Sequence, residues 1–225
     1  MQLTRTQFED ELEGLRGQLL EMGSRAAEMV QNAMTALANR DLPLAEQVIK
    51  DDDIVDELDL QIENECIRLI ALQQPIARDL RLVGTALKII TDLERIGDNA
   101  VDIAKVARKL AGDTDVQLVD FAPMAGAVSS MIRDSMEAFV KHDLDIASRA
   151  VETDDKVDDI FHDIRSQLHE AMKRGPALVV HASYLLFVAH YLERIADHTV
   201  NIAERVHYVE TGIQVQLAPS HRANS

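Results

Sequence analysis

The chain is written twice, and this constrains its fold more than any other feature. Residues 91–104 read "TDLERIGDNAVDIA", and residues 190–203 read "HYLERIADHTVNIA", an offset of 99. Further upstream an offset of 102 lays Met22, Met29, Met34, Asp41, Leu42 and Ala45 over Met124, Met131, Met136, Asp143, Leu144 and Ala147. "KDDDIVDEL" then meets "ETDDKVDDI". A repeat of this length is a domain duplication, not a short solenoid unit. Whatever one half folds into, the other must fold into as well.

The apolar supply favours helices. Aromatics are 4% of the chain, Trp is absent, and Pro and Gly number only 5 and 9. An all-β fold would need more turn residues and more β-branched and aromatic side chains. Steps of three and four connect Met22, Ala26, Met29, Ala33, Ala36 and Leu37, and likewise Val83, Leu87, Ile90, Glu94 and Val101. Three helices per repeat are predicted: 6–39, 42–73 and 76–111, then 115–141, 144–174 and 177–211. Asp41 and Asp143 sit where N-caps belong, with Pro43 tolerated in the first turn. Thr6-Gln7-Phe8-Glu9 fits a capping box. Gly112 and Gly212 stand where a glycine commonly closes a helix in the left-handed conformation. Long helices with short connections pack as antiparallel neighbours. The expected fold is therefore all-α, with one three-helix bundle in residues 1–112, a second in 113–212, and a flexible tail at 213–225.

Charge and composition narrow the function. The formal net charge of −16 repels phosphate backbones and anionic lipid surfaces, and it suits cations and basic protein partners. Cys66 is the only cysteine, so no disulfide can form within the chain, which suits the cytoplasm. The N-terminal stretch lacks the basic-then-apolar design of a signal peptide. No apolar run reaches the roughly 20 residues of a membrane span. No Gly-rich phosphate loop, nucleophile elbow or H-E-x-x-H is present, so an enzyme is not expected.

The acids are spaced for chemistry. Glu94, Asp98 and Asp102 stand four apart, as do Glu193, Asp197 and Asn201. Side chains four apart share a helical face, where like charges repel by a few tenths of a kcal/mol (~0.2–0.5) per pair. The preceding helices bring Asp52/Asp56 and Asp154/Asp158. Antiparallel packing would unite two such pairs in each bundle. Four converging carboxylates make an oxygen-only site suited to iron, manganese, magnesium or calcium rather than zinc. Ordinary ion pairing with Arg95 and Arg194 is the competing explanation. Asp59/Glu63, Asp155/Asp159 and Asp159/Asp163 repeat the spacing and are assigned to solvated faces. Glu204-x-x-His207 matches one half of a ferritin-like di-iron motif, but the first repeat has Lys105 and Arg108 there, so coincidence is the simpler reading.

The doubled "LERIGD"/"LERIAD" helix, "QPIARDLRLV" before the first copy and "VDEL"/"VDDI" in the preceding helices together resemble the PhoU family over residues 8–211. The resemblance implies two three-helix bundles related by a pseudo-twofold axis. It implies a cytoplasmic, often homodimeric regulator that restrains the phosphate-starvation response. Such proteins act between the ATPase subunit of the phosphate ABC transporter and the phosphate-regulon sensor histidine kinase. Some members hold multinuclear metal clusters through paired acidic motifs, which map here onto Asp52/Asp56 with Glu94/Asp98 and onto Asp154/Asp158 with Glu193/Asp197. Asp102 departs from the Asn of many members and of the second copy. Ala196 replaces Gly97, and Arg78 and Arg81 give the first half a basic spot that the second lacks. A ferritin-like metal enzyme and a metal-free helical scaffold remain the alternatives.

Overall fold

The computed structural model describes residues 5–112 and 118–217. Six helices follow one another: α1 Arg5–Asn39, α2 Leu42–Gln73, α3 Ala77–Leu110, α4 Ala122–Lys141, α5 Leu144–Lys173 and α6 Pro176–Thr211. No strand occurs among the described residues. α1, α2 and α3 pack on one another, as do α4, α5 and α6, and the two bundles meet through α3 against α6 and α1 against α4.

The helix boundaries follow local chemistry. The Asp41 carboxylate accepts the Leu44 N–H at 3.0 Å, and Asp143 accepts from Asp145 and Ile146 at 2.9 and 3.1 Å. These are the two expected N-caps, and each is worth about 1 kcal/mol. Gly212 closes α6 at φ 75, its N–H donating to Tyr208 O at 2.9 Å. Gly112 does not play that part, because α3 ends through Ala111 in right-handed conformation. Thr6 lies inside α1 rather than at its cap. α4 runs from Ala122, with the Asp120 carboxylate accepting the Ala122 N–H at 2.9 Å and a Pro in the first turn; residues 118–121 are not helical, and the expected start at 115 lies outside the described residues. The tail folds back at least to Leu217, whose N–H donates to Glu204 Oε1 at 2.6 Å; residues 218–225 lie outside the described residues.

The apolar interior is one continuous cluster, and its two halves join where α3 packs on α6 and α1 on α4. Leu19, Met22 and Met29 of α1 and Val55, Ile62 and Leu69 of α2 are buried with Ile89, Leu93 and Ile96 of α3. Met124 and Met131 of α4 and Val157, Ile164 and Leu168 of α5 are buried in the second half with Val188, Leu192 and Ile195 of α6. The methionines are core filler, as their spacing predicts. From Leu93 to Ala104 most of α3 is buried, and Glu94, Arg95, Asp98 and Asp102 mark the side that stays partly open. Buried polar groups there bond their own helix: Asn99 donates to Arg95 O at 2.6 Å and Thr199 to Ile195 O at 2.8 Å. Neither leaves a donor stranded in the core.

Candidate metal centre and bundle interface

The acids of α2 and α3 share one half-buried face. Asp52 is pushed up to about 6 from its ordinary 3.8, first by burial, then by the charges of Asp56, Asp98 and Asp53. Lys105 opposes the rise. Glu94 is raised by burial and by Asp98, with Arg95 opposing and Asp56 and Asp59 adding to the rise. Asp52, Asp56, Glu94 and Asp98 therefore feel one another across the helix pair, as antiparallel packing requires. Gly97 faces α2 with room for a methyl group: a Cβ there would stand 3.4 Å from Asp52 Oδ1 and 3.5 Å from Val55 Cγ1. Asp59 belongs to the edge of this group rather than to open solvent. It is raised by burial, then by Glu63 and Asp56.

The second half repeats the arrangement with different company. Asp158 is raised by burial and Asp197, and Glu193 by burial, Asp197 and Asp158. Asp154 is 2% exposed, deeper than its half-buried counterpart Asp52. Two histidines enter this group. His190 Nδ1 lies 3.0 Å from Glu193 Oε2, and the positive charge of His162 would lower Asp158. The signal was local and available: His190 is three residues before Glu193, and His162 is four after Asp158, both helical-neighbour spacings. Asp155, Asp159 and Asp163 are exposed, as expected.

Arg95 binds the first group's α3 acids, at 3.2 Å to Glu94 Oε2 and 2.6 Å to Asp98 Oδ2. Among the described residues no three His, Cys, Asp or Glu side chains converge closely enough to form a ligand set as they stand. Arg95 supplies part of the positive charge that the α3 acids need. The donor chemistry nevertheless fits a hard cation: all-oxygen carboxylates on two packed helices, with Asp52 and Glu94 raised first by burial and then by neighbouring negative charge.

The third residue of each series, Asp102 and Asn201, faces elsewhere. Asp102 pairs with Lys105 at 2.8 Å, and its charge, after burial, raises Tyr191 of α6. Asn201 donates to Asp92 Oδ1 of α3 at 3.1 Å, and His198 Nδ1 lies 3.0 Å from the same oxygen. Asp102 and Asn201 thus lie at the seam between the bundles, not with the other candidate ligands. The two contacts are one contact seen twice, since Asp92 and Asn201 sit 99 residues before Tyr191 and after Asp102 respectively. The seam is a pseudo-twofold interface of antiparallel helices.

A PhoU domain family model matches twice, over residues 19–107 and 121–206. The chain belongs to the PhoU family. It is 45% identical over 217 residues to a phosphate-specific transport system accessory protein PhoU homolog of Clostridium acetobutylicum, covering 96% of this chain and 99% of that one. It is 36% identical to the accessory protein PhoU of Escherichia coli, covering 92% of this chain and 86% of that one. The crystal structure of PhoU from Pseudomonas aeruginosa superposes with a TM-score of 0.87 at 35% identity, over 92% of this chain and all of that one (100%). The phosphate transport system regulatory protein PhoU from Streptococcus pneumoniae gives 0.85 at 32% identity, over 92% of this chain and 99% of that one.

Within this PhoU-family chain the basic spot of the first half has a structural use. Arg78 donates to both Glu210 oxygens at 2.9 Å, and Arg81 Nε donates to Val209 O at 3.2 Å. His142 Nδ1 joins Glu210 at 2.8 Å. These contacts tie the start of α3 to the end of α6. The E-x-x-H match is absorbed by the chain end: Glu204 accepts from Leu217, and His207 Nδ1 lies 3.3 Å from the Thr211 hydroxyl.

Proposed function

We propose that this chain is a non-enzymatic accessory protein of phosphate uptake that restrains the phosphate-starvation response. In this reading it works in the cytoplasm as a homodimer. It acts as an adaptor between the ATPase subunit of the phosphate ABC transporter and the phosphate-regulon sensor histidine kinase. The observation that carries the proposal is the end-to-end match of both bundles to proteins named phosphate-specific transport system accessory proteins. No helix among the described residues is long and apolar enough to cross a membrane, so contact with a transporter would run through its soluble subunit. Deletion of the gene, followed by an alkaline phosphatase assay in high phosphate, tests this. Unchanged repression together with normal phosphate uptake would overturn it.

The carboxylate faces add a cation to the proposal. Asp52 and Asp56 would hold it from α2, Glu94 and Asp98 from α3, with Asp154, Asp158, Glu193 and Asp197 as the second set. A bound cation would supply the positive charge that these faces lack and lock the two helices of each face together. Loading requires the proton to leave Asp52 and Arg95 to release Glu94 and Asp98. Elemental analysis of protein purified without a metal column, beside a Glu94→Ala/Asp98→Ala variant, tests the site. Equal and negligible metal in both would favour the metal-free scaffold.

A ferritin-like metal enzyme is the second reading. His162 and His190 beside the second acidic face are what favour it. The first face has no histidine among the charges that act on it, which argues against a matched pair of such centres. Oxygen-dependent turnover or a bridged di-iron spectrum would revive it.

A further inference from the structure

The repeat supplies an internal control for surface residues. At the offset of 102, Val55, Ile62, Cys66 and Leu69 of α2 fall on Val157, Ile164, Leu168 and Ala171 of α5. All eight are buried, so the two helices are in register. Both are outermost helices: among the described residues α2 packs only on α1 and α3, and α5 only on α4 and α6. Their outer faces should therefore look alike, and they do not. Leu60 and Ile67 of α2 are 58% and 55% exposed. Their counterparts on α5 are His162 and His169, also exposed. The exposed Ile54 is matched by Lys156. The fold does not need an aliphatic side chain at these places, since the twin helix does without one.

A single exposed aliphatic is ordinary. Leu60 and Ile67 are not single. They stand seven apart, on one line with Asn64 and Ala71, and all four are exposed. Acids border the line. Asp53, Glu57 and Glu63 are exposed, and none has a Lys or Arg partner among the described residues. Glu57 is met only by the Gln61 amide, at 3.1 Å. Residues 51–67 hold eight acids and no Lys or Arg, whereas the matching 153–169 hold five acids with Lys156 and Arg165. Glu63 is itself the counterpart of Arg165. From Asp53 to Ile67 the stripe is about 21 Å long, roughly four turns. An apolar line between unopposed acids complements a helix with apolar residues every three or four positions and Lys or Arg beside them. An anionic lipid surface would be repelled. Symmetric contact with α2 of a second copy would set acid against acid.

We propose that this face of α2 docks a basic amphipathic helix of another protein. Leu60 and Ile67 take its apolar ridge, and Asp53, Glu57 and Glu63 take its lysines or arginines. The proposal rests on the adaptor reading for the existence of a partner and adds where, and by what chemistry, that partner is held. Two measurements on the full chain test it. In the first, fluorescence anisotropy follows a labelled Leu/Lys peptide of about four helical turns with apolar residues at helical spacing. A scrambled peptide of the same composition controls for the net charge of −16. The patterned peptide should bind one-to-one and about tenfold tighter than the scrambled one. Leu60→Gln/Ile67→Gln keeps every charge and a good helix former, and should weaken binding about tenfold. Glu63→Arg should weaken it too and flatten its salt dependence. Circular dichroism checks that the variants keep their helices. In the second, a photo-crosslinking side chain replaces Ile67 in cells, with His169 as the control position. An adduct is expected from 67 alone, to a segment of another protein that carries Lys or Arg beside apolar residues every three or four positions. The proposal is overturned if the patterned peptide binds no better than the scrambled one, or if the Gln double variant binds like the parent. It is overturned as well if position 67 gives no adduct, the same adduct as 169, or an adduct to another copy of this chain. Neither measurement reads phosphate regulation, so failure here strikes the docking face, while unchanged alkaline phosphatase repression strikes the adaptor reading.

Discussion

Replacing Asp52 by Asn isolates the electrostatic cost of the first acidic face. Burial and the charges of Asp56, Asp98 and Asp53 push Asp52 up to about 6 from 3.8. The folded state therefore binds the Asp52 proton more tightly than the unfolded chain does. The stabilisation that this proton confers is fully present below about 3.8 and is lost as pH rises through about 6. Above that pH the ionised carboxylate is a liability of at most about 3 kcal/mol. Solvent screening around a half-exposed side chain reduces this to about 1 kcal/mol. Asn keeps the shape and removes the charge. In EDTA at pH 8 the Asp52→Asn protein should be more stable by about 1 kcal/mol, a rise in Tm of roughly 2–4 °C for a chain of this size. At pH 4 the difference should vanish, because the parent carboxyl is then protonated. With a hard cation in the buffer the sign should reverse, since the variant has lost a charged ligand. Thermal unfolding followed by circular dichroism across this pH range reads all three results. A variant no more stable than the parent at pH 8, or a difference that is the same at pH 4 and pH 8, would refute the reasoning.

Three further outcomes follow from the packing. Asp92→Ala removes the acceptor that Asn201 and His198 share across the bundle seam, and should cost about 1–3 kcal/mol in urea unfolding; a loss under about 0.5 kcal/mol would mean the seam does not depend on it. Gly97→Ala should be tolerated, because its Cβ meets Asp52 at an ordinary 3.4 Å and the second half carries Ala196; relief of the glycine's helix penalty should raise stability by up to about 1 kcal/mol, and a lower Tm would show that Asp52 cannot give way. Burial, then Glu65 and Glu63, pushes the fully covered Cys66 thiol up to about 12, so a disulfide reagent should label it only in denaturant. Labelling of the native protein at the rate of a free thiol would contradict that burial.

The acidic faces show where sequence reasoning succeeds and where it stops. Spacing of four put Glu94 with Asp98 and Asp52 with Asp56 on common faces, and the helix pair brings the two faces within reach of each other. The same rule extended by another step misplaces Asp102 and Asn201. Each step of four residues overshoots a full turn, and two steps rotate a side chain by about 80°. That rotation carries the third residue off the α2 or α5 side and onto the seam between α3 and α6. Asp59 went the other way, drawn in from an assumed solvent face by its neighbours on α2 and α3. His162 and His190 were legible as helical neighbours of acids but unremarkable until α5 and α6 were side by side.

By itself the sequence determined six helices, their two N-caps at Asp41 and Asp143, the duplication and the acid pairs, because each is a matter of residues within one or two turns. Only the tertiary structure decided the rest. It decided that α3 of the first bundle and α6 of the second pack as one antiparallel seam, that Arg78 and Arg81 serve to fasten that seam at one end, and that a cavity opens at the other. Those depend on residues more than a hundred positions apart, such as Arg78 and Glu210, meeting through packing that no local period records.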